Sequence, residues 1–317
     1  MLRAVPQHGE TLTPAGMKLA REIMSTRFTA IDVRSSKVES RGGDEIVISG
    51  SVPKKAARVA SATGDLQFFD FEEDLAPPTI ENGNPTPYPT LYSLLAAPGA
   101  AVSDGPPEAY YLFDAKAPHR VIQGPTGTYD DLLAPYGGKI PNGMTVFTVP
   151  ANTEVVSGTR ESFTAATHPV KESPDGTYWY LFKLHPELTG ADLKRSEIQA
   201  GSDPSTGVPQ VTLAFTRHGA KEFQAITKAE YERGQLLAGL HGSPGQFNPL
   251  YAQHNAIVLD GQLQSVPFID YTDNILSLGI AGGAAVISNL ASSQAANDLA
   301  LVLQSGSLPY LFEQVSS

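Results

Sequence analysis

The sequence predicts an α+β fold, and three observations carry that expectation. Two β-prone runs, Ala256–Leu259 and Gln264–Ile269, flank Asp260-Gly261. That is a hairpin signal, because glycine accepts the positive φ a tight primed turn needs. Apolar residues recur at helical spacing in three segments: Met17 to Phe28, Ala220 to Thr227, and Ala295 to Leu303. Between these lie short runs that alternate as strands do, so strands and helices share one chain without a regular βα repeat.

Residues 1–72 form one pattern. Leu2–Val5 is a short strand. Thr13-Pro14 starts a helix, with threonine as N-cap and proline at the first helical position. Met17, Leu19-Ala20, Ile23-Met24 and Arg27-Phe28 follow at its spacing. Ile31, Val33, Ser35 and Lys37-Val38 alternate as a strand, Arg41–Asp44 turns, and Glu45–Ser49 returns. Pro53 opens a helix carrying Ala56, Ala57, Val59 and Ala60, and Gly64 ends it. Leu66, Phe68 and Phe69 are read as the last strand. The order βαββαβ is ferredoxin-like, and 307–317 is expected to complete this base.

Residues 73–176 hold 15 of the 25 prolines, which prevent regular helix or central strand nearby. Tyr110–Phe113, Val121-Ile122 and Met144–Val149 are nonetheless strand-like. The segment reads as a Pro-rich insertion docked on the core and partly mobile from Pro77 to Asp104.

Residues 177–306 read as a second α+β unit, a head. Tyr178–Leu184 is a strand, and Leu188–Leu193 turns into a short helix. Val211–Phe215 is a strand and Arg217–Tyr231 a helix, followed by a Gly/Pro loop over 240–253. After the hairpin, Ala284–Ser288 is a short apolar run expected to be a buried strand. Ser292-Ser293 start the last helix, Gly306 stops it, and Leu308-Pro309 lead into a final strand.

Composition excludes several functions. With 317 residues, 41% hydrophobic and 17% charged, the chain can form two or three packed domains. A net charge of −11 without a basic run argues against nucleic acid or anionic lipid. No cysteine is present, so disulfides and thiol nucleophiles are excluded. No apolar stretch reaches the ~20 residues a bilayer span needs. Met1-Leu2-Arg3 enters a strand directly, so no signal peptide is expected.

The seven histidines, His8, His119, His168, His185, His218, His241 and His254, form no metal-binding spacing and are expected on exposed loops. His241–Gly245 lacks the spacing of a nucleophile loop, and Lys139 after Gly137-Gly138 lacks the residues of a phosphate loop. Asp260 is expected to serve its turn. No catalytic residue, cofactor or metal site is assigned. The aromatic run Tyr178, Trp179, Tyr180 and Phe182 is a core strand whose edge or groove could pair with an extended polypeptide. Gly176 and Gly306 are candidate hinges between base and head, because glycine tolerates the φ/ψ change a hinge absorbs.

AIVLDG (256–261), SVPFI (265–269), GGAAVIS (282–288) and ANDLALVLQSGSLP (296–309) stand in an order and spacing that resembles the SecD ectodomain. LTPAGMKLAREIMSTRF, DEIVISGSVPKKAARVAS and LTGADL resemble further parts of that family. Ser307 replaces its usual alanine, Val266 its small residue before proline, and Gly50–Pro53 its Leu-Pro-Gly. The resemblance implies a non-enzymatic Sec export subunit on the extracytoplasmic side of the plasma membrane. This piece would bind emerging preprotein and change orientation to promote translocation driven by the proton-motive force. It further implies SecF and the SecYEG channel as partners, and transmembrane helices flanking this piece. The alternatives are a stand-alone peptide- or protein-binding ectodomain and an enzyme. Transmembrane helices on both sides in the full gene would argue against the first, and a pocket with convergent titratable groups would support the second.

Overall fold

A computed structural model describes residues 1–5, 11–33, 36–100, 105–163, 173–242, 244–288 and 290–315. His8, Ser35, Asp104, His168 and Ser243 lie outside the described residues. The fold is mixed α+β with several sheets.

The chain opens with β1 (Leu2–Val5), helix α1 (Pro14–Ala30), β2 (Lys37–Arg41), β3 (Glu45–Ser49) and helix α2 (Lys54–Ser61). Thr13 caps α1 by accepting the Gly16 N–H, and Pro14 occupies the first turn, as expected of that pair. β2 begins only at Lys37, because Ile31 and Asp32 are spent in a turn after α1. Met17, Ala20, Ile23 and Met24 bury their face against Ala4, Ile46, Leu308, Tyr310 and Phe312, while Leu19 faces solvent. Gly16 is required here. A Cβ would lie 2.2 Å from the Tyr310 hydroxyl oxygen, which itself receives the Thr13 N–H at 2.9 Å.

The first sheet has the order Leu311–Gln314, β1, β3, β2, with every neighbour antiparallel. Its fourth strand therefore comes from the far end of the chain. The strand β4 (Leu66–Asp70), expected to fill that place, pairs instead with Gln253–Leu259 and Leu188–Thr189. All five of its residues are buried. A strand covered on both faces fits a sheet interior better than the edge that Leu311–Gln314 occupies.

The large sheet runs Thr177–Lys183, Thr153–Thr159, Gln262–Ser265, Gln253–Leu259, β4, Leu188–Thr189. Its hairpin closes through Asp260 (φ 50°) and Gly261 (φ 69°), a primed turn as the sequence predicts. Leu66 and Phe68 pack with Phe215 and Phe223 on one side, and Phe69 packs with Phe71 and Phe182 on the other. Each fully buried phenylalanine contributes up to about 2–3 kcal/mol.

Two smaller sheets flank it. Ala109–Asp114 lies between Val121–Thr126 and Met144–Val149, matching the strand-like runs of the Pro-rich segment. The stretch before it is docked: helices α3 (Phe71–Asp74) and α4 (Leu91–Leu95) bury Phe71, Leu91, Leu94 and Leu95, and Thr79 is fully buried. Helix α5 (Tyr129–Leu133) covers the small sheet with Leu132 and Leu133. The other sheet joins Gln199–Ser202, Pro209–Ala214 and Ala284–Ile287. Of the last strand only Ile287 is fully buried, so it is an edge and not the interior strand expected. Helix α6 (Arg217–Leu240) runs nine residues past the expected Tyr231, and helix α7 (Ser293–Ser305) keeps the predicted Ser292 cap and Gly306 stop.

Candidate functional site

The chain leaves the first sheet's elements at Ala62–Asp65 and returns to them at Gly306–Tyr310. One side chain ties these two passages together. Arg27, at the end of α1, is fully buried. Its guanidinium donates to Ser305 Oγ at 2.8 Å, Ala60 O at 3.1 Å, Val302 O at 3.4 Å and Gly306 O at 2.7 Å, and also to Ala62 O. All five N–H donors are thus spent on the C-terminal ends of α2 and α7, where unpaired carbonyls and the helix dipole favour a cation. Burial pulls the group down to about 10, so it stays charged at neutral pH.

Beside this junction opens a cleft of about 330 Å³. Val5 and Leu311 of the first sheet form one wall, Tyr111 and Glu108 another, and Glu154, Trp179 and Asp260 of the large sheet the third. Burial, with Asp65 nearby, pushes the Glu154 carboxyl up to about 8. Its Oε1 has no hydrogen-bond partner among the described residues. Burial alone raises the Tyr111 hydroxyl to about 12. Asp260 accepts the Asp65 N–H at 2.8 Å, so it holds its own turn against the junction.

The structure divides the predicted aromatic run. Tyr180 and Phe182 point into the core, with ring centroids 5.5 and 5.8 Å from Phe71, and are closed to any ligand. Tyr178 and Trp179 are half-buried, and Trp179 lines both the cleft and a neighbouring cavity of about 480 Å³. The strand's outer edge is not open along the run. Trp179 exchanges both backbone bonds with Tyr88 at 2.9 Å, and Leu181 O accepts from Ala76 N at 2.7 Å. The docked residues 75–88 have taken the positions an added strand would use.

Gly176 (φ 77°) sits in a turn where Asp175 accepts the Thr177 N–H. This turn enters a strand of the large sheet, so the expected crossing near Thr177 falls within one sheet. Gly306 (φ 86°) lies at the return passage, where a Cβ would come 2.5 Å from the Arg195 guanidinium.

Sequence reasoning missed His254, which is 2% exposed and not on a loop. Its Nδ1 lies 2.6 Å from Glu72 Oε1, a partner 182 residues away that no local pattern announces. Among the described residues no group of three metal-binding side chains converges, and no helix is long and apolar enough to cross a membrane. Leu236, Leu240, Phe247, Leu250, Ile275 and Leu278 leave apolar surface exposed on α6 and on segments near it.

The family described as SecDF, P1 head subdomain matches residues 165–310. The protein translocase subunit SecDF of Thermus thermophilus is 40% identical over 124 residues, covering 39% of this chain and 13% of that protein. The SecD subunits of Acidaminococcus fermentans and of a Synechocystis strain are 35% and 32% identical over 130 residues each. Each alignment covers 41% of this chain and 24% or 23% of the relative. The chain thus aligns with a quarter or less of these relatives' length. None of these names is that of an enzyme. A solved structure, described as a membrane component SecDF that enhances protein export, aligns over 100% of both chains at 21% identity and a TM-score of 0.49. Residues 165–310 are therefore similar to the SecDF P1 head subdomain.

Proposed function

We propose that the chain is the extracytoplasmic domain of a Sec protein-export accessory subunit, which binds emerging preprotein and changes orientation to promote translocation driven by the proton-motive force. The family match over 165–310 carries the reading. Residues 1–72 closed by 307–317 act as a base, and 177–306 act as a head. The first sheet's strand order, in which the C-terminal strand stands fourth, supports a ferredoxin-like base. Residues 73–176 dock between sheets, with Thr153–Thr159 paired to the head strand Thr177–Lys183.

The cleft suits this role. Its walls come from both units, so a rotation at Ala62–Asp65 and Gly306 changes its width. Trp179 offers an aromatic face, and Glu108, Asp65 and Asp260 give the rim a negative charge that favours basic segments of an unfolded chain. SecF and the SecYEG channel are the partners such a domain would serve, through membrane segments of the longer protein.

Trp179 is the single tryptophan of the chain, so its fluorescence reads the cleft directly. Titration with a chemically unfolded export substrate should shift its emission with a midpoint in the micromolar range or weaker, about −8 kcal/mol at best. An unchanged emission at saturating substrate, with W179F binding the substrate as well as the parent, would remove the cleft as the capture site.

A further inference from the structure

Behind α6 lies a buried ionic cluster that the export reading does not use. Glu230 on α6 is completely buried, as are Asp70, His254 and Asn255 to within 5% exposure. Two of the carboxylates have close partners. Arg233 Nη2 reaches both oxygens of Asp70 at 2.6 and 2.5 Å, and its Nε donates to Gln253 Oε1 at 3.0 Å. Glu72 receives the His254 backbone N–H at 2.8 Å and faces His254 Nδ1 at 2.6 Å. Glu230, the third carboxylate, has neither the arginine nor the imidazole to itself.

What faces Glu230 is a carboxamide. Asn255 Nδ2 donates to Glu230 Oε1 at 3.4 Å. The remaining oxygens, Glu230 Oε2 and Asn255 Oδ1, are both buried and both lack a hydrogen-bond partner among the described residues. Two orphaned acceptors on a pair of residues already in contact are costly. One proton resolves both: a neutral acid at Glu230 donates from Oε2 to Asn255 Oδ1 while Oε1 accepts from Nδ2, closing an acid–amide ring.

We propose that Glu230 is held as a neutral carboxylic acid paired with Asn255, and that this pair is a proton-dependent latch fastening α6 to the strand Gln253–Leu259. Loss of the proton leaves a buried anion beside Asp70 and Glu72 with two facing acceptors, and α6 loosens from the sheet. The surroundings point the same way. Burial first, then Asp70 and Glu72, raises the Glu230 carboxyl well above its ordinary range, against the weaker pull of Asn255 and Arg233. Asp74, which accepts the Asp70 N–H at 3.0 Å, and Glu187 stand in the next layer, and burial raises both of their carboxyls. Because α6 also bears the exposed Leu236 and Leu240, the latch governs how firmly that apolar surface is presented.

Glu230→Gln keeps the ring, since a carboxamide both donates and accepts. The sign follows from linkage: a carboxyl raised by folding stabilises fully at low pH and loses that contribution as pH rises through the folded value. Between about pH 6 and about pH 9 the urea midpoint of the parent protein should fall relative to that of E230Q, in which the other carboxyls of the cluster are unchanged. Amide exchange in α6 should quicken over the same range in the parent only. Parallel profiles for the two proteins would overturn the latch. Carboxyl ¹³C titration of the parent, with its glutamate side chains assigned, tests the proposal without any variant. A Glu230 carbon at the neutral-acid shift at neutral pH supports it, and one already at the carboxylate shift refutes it.

Discussion

Replacing Arg27 by methionine removes the charge and all five donors while keeping most of the apolar stem. The backbone carbonyls of Ala60, Ala62 and Gly306 lose their partner, whereas Val302 O keeps the Ser305 hydroxyl at 2.9 Å. A buried acceptor left unpaired costs about 1–3 kcal/mol. Carbonyls tolerate under-satisfaction better than N–H groups do, and the Ala62 and Gly306 ends can admit water. Removing the guanidinium also relieves the desolvation that lowers its own pKa. The net loss should be about 3–5 kcal/mol, a large share of a typical domain's stability. Urea unfolding at neutral pH gives the value, and R27K, with three donors on a thinner head, should fall between the two proteins. A loss below about 1 kcal/mol for R27M would mean that the helix ends are satisfied without the guanidinium, and that Arg27 does not hold the junction.

Two further substitutions test backbone packing and buried carboxyls. Gly279→Ala places a Cβ 2.0 Å from Gln224 O at φ 77°. Because backbone must yield, it should cost about 2 kcal/mol or more in thermal or urea unfolding, and a neutral effect would contradict the packing of Asn274–Leu278 on α6. Glu154 and Asp74, pushed up to about 8 and about 7 chiefly by burial, contribute stability that is complete in acid and lost as pH rises through those values. In E154Q the decline in unfolding temperature above about pH 7 should be shallower, and an unchanged profile would place Glu154 in water.

Signals that act within a few residues were legible in the sequence. Thr13-Pro14 sets the start of α1, Asp260-Gly261 sets the hairpin, and Ser292 and Gly306 bracket α7, because each satisfies local backbone groups or supplies a local φ. Long-range choices were not legible. Leu66–Asp70 is recognisable as a strand, but nothing in five consecutive buried residues says which sheet receives it. The helix expected to end at Tyr231 runs on, and Gly234 is packed within α6, where a Cβ would come 2.8 Å from Tyr271 Cβ. The cover on the aromatic edge was hidden for the same reason: Tyr88 and Ala76 reach it from a Pro-rich insertion that the sequence shows as docked and partly mobile without saying where it docks. Glu72 made His254 a buried partner from far along the chain.

The pairing of the first and last strands sets how the molecule answers a mechanical pull. Leu2 stands opposite Gln314 and Val5 opposite Leu311, and Val315 N bonds to Met1 O, so both ends leave from one corner of one antiparallel ladder. Tension applied across those ends runs perpendicular to the strands and along their hydrogen bonds. Such a load opens the ladder one rung at a time, instead of shearing every rung together. The large sheet, α6 and the cleft lie off the line of force until that short zipper has parted.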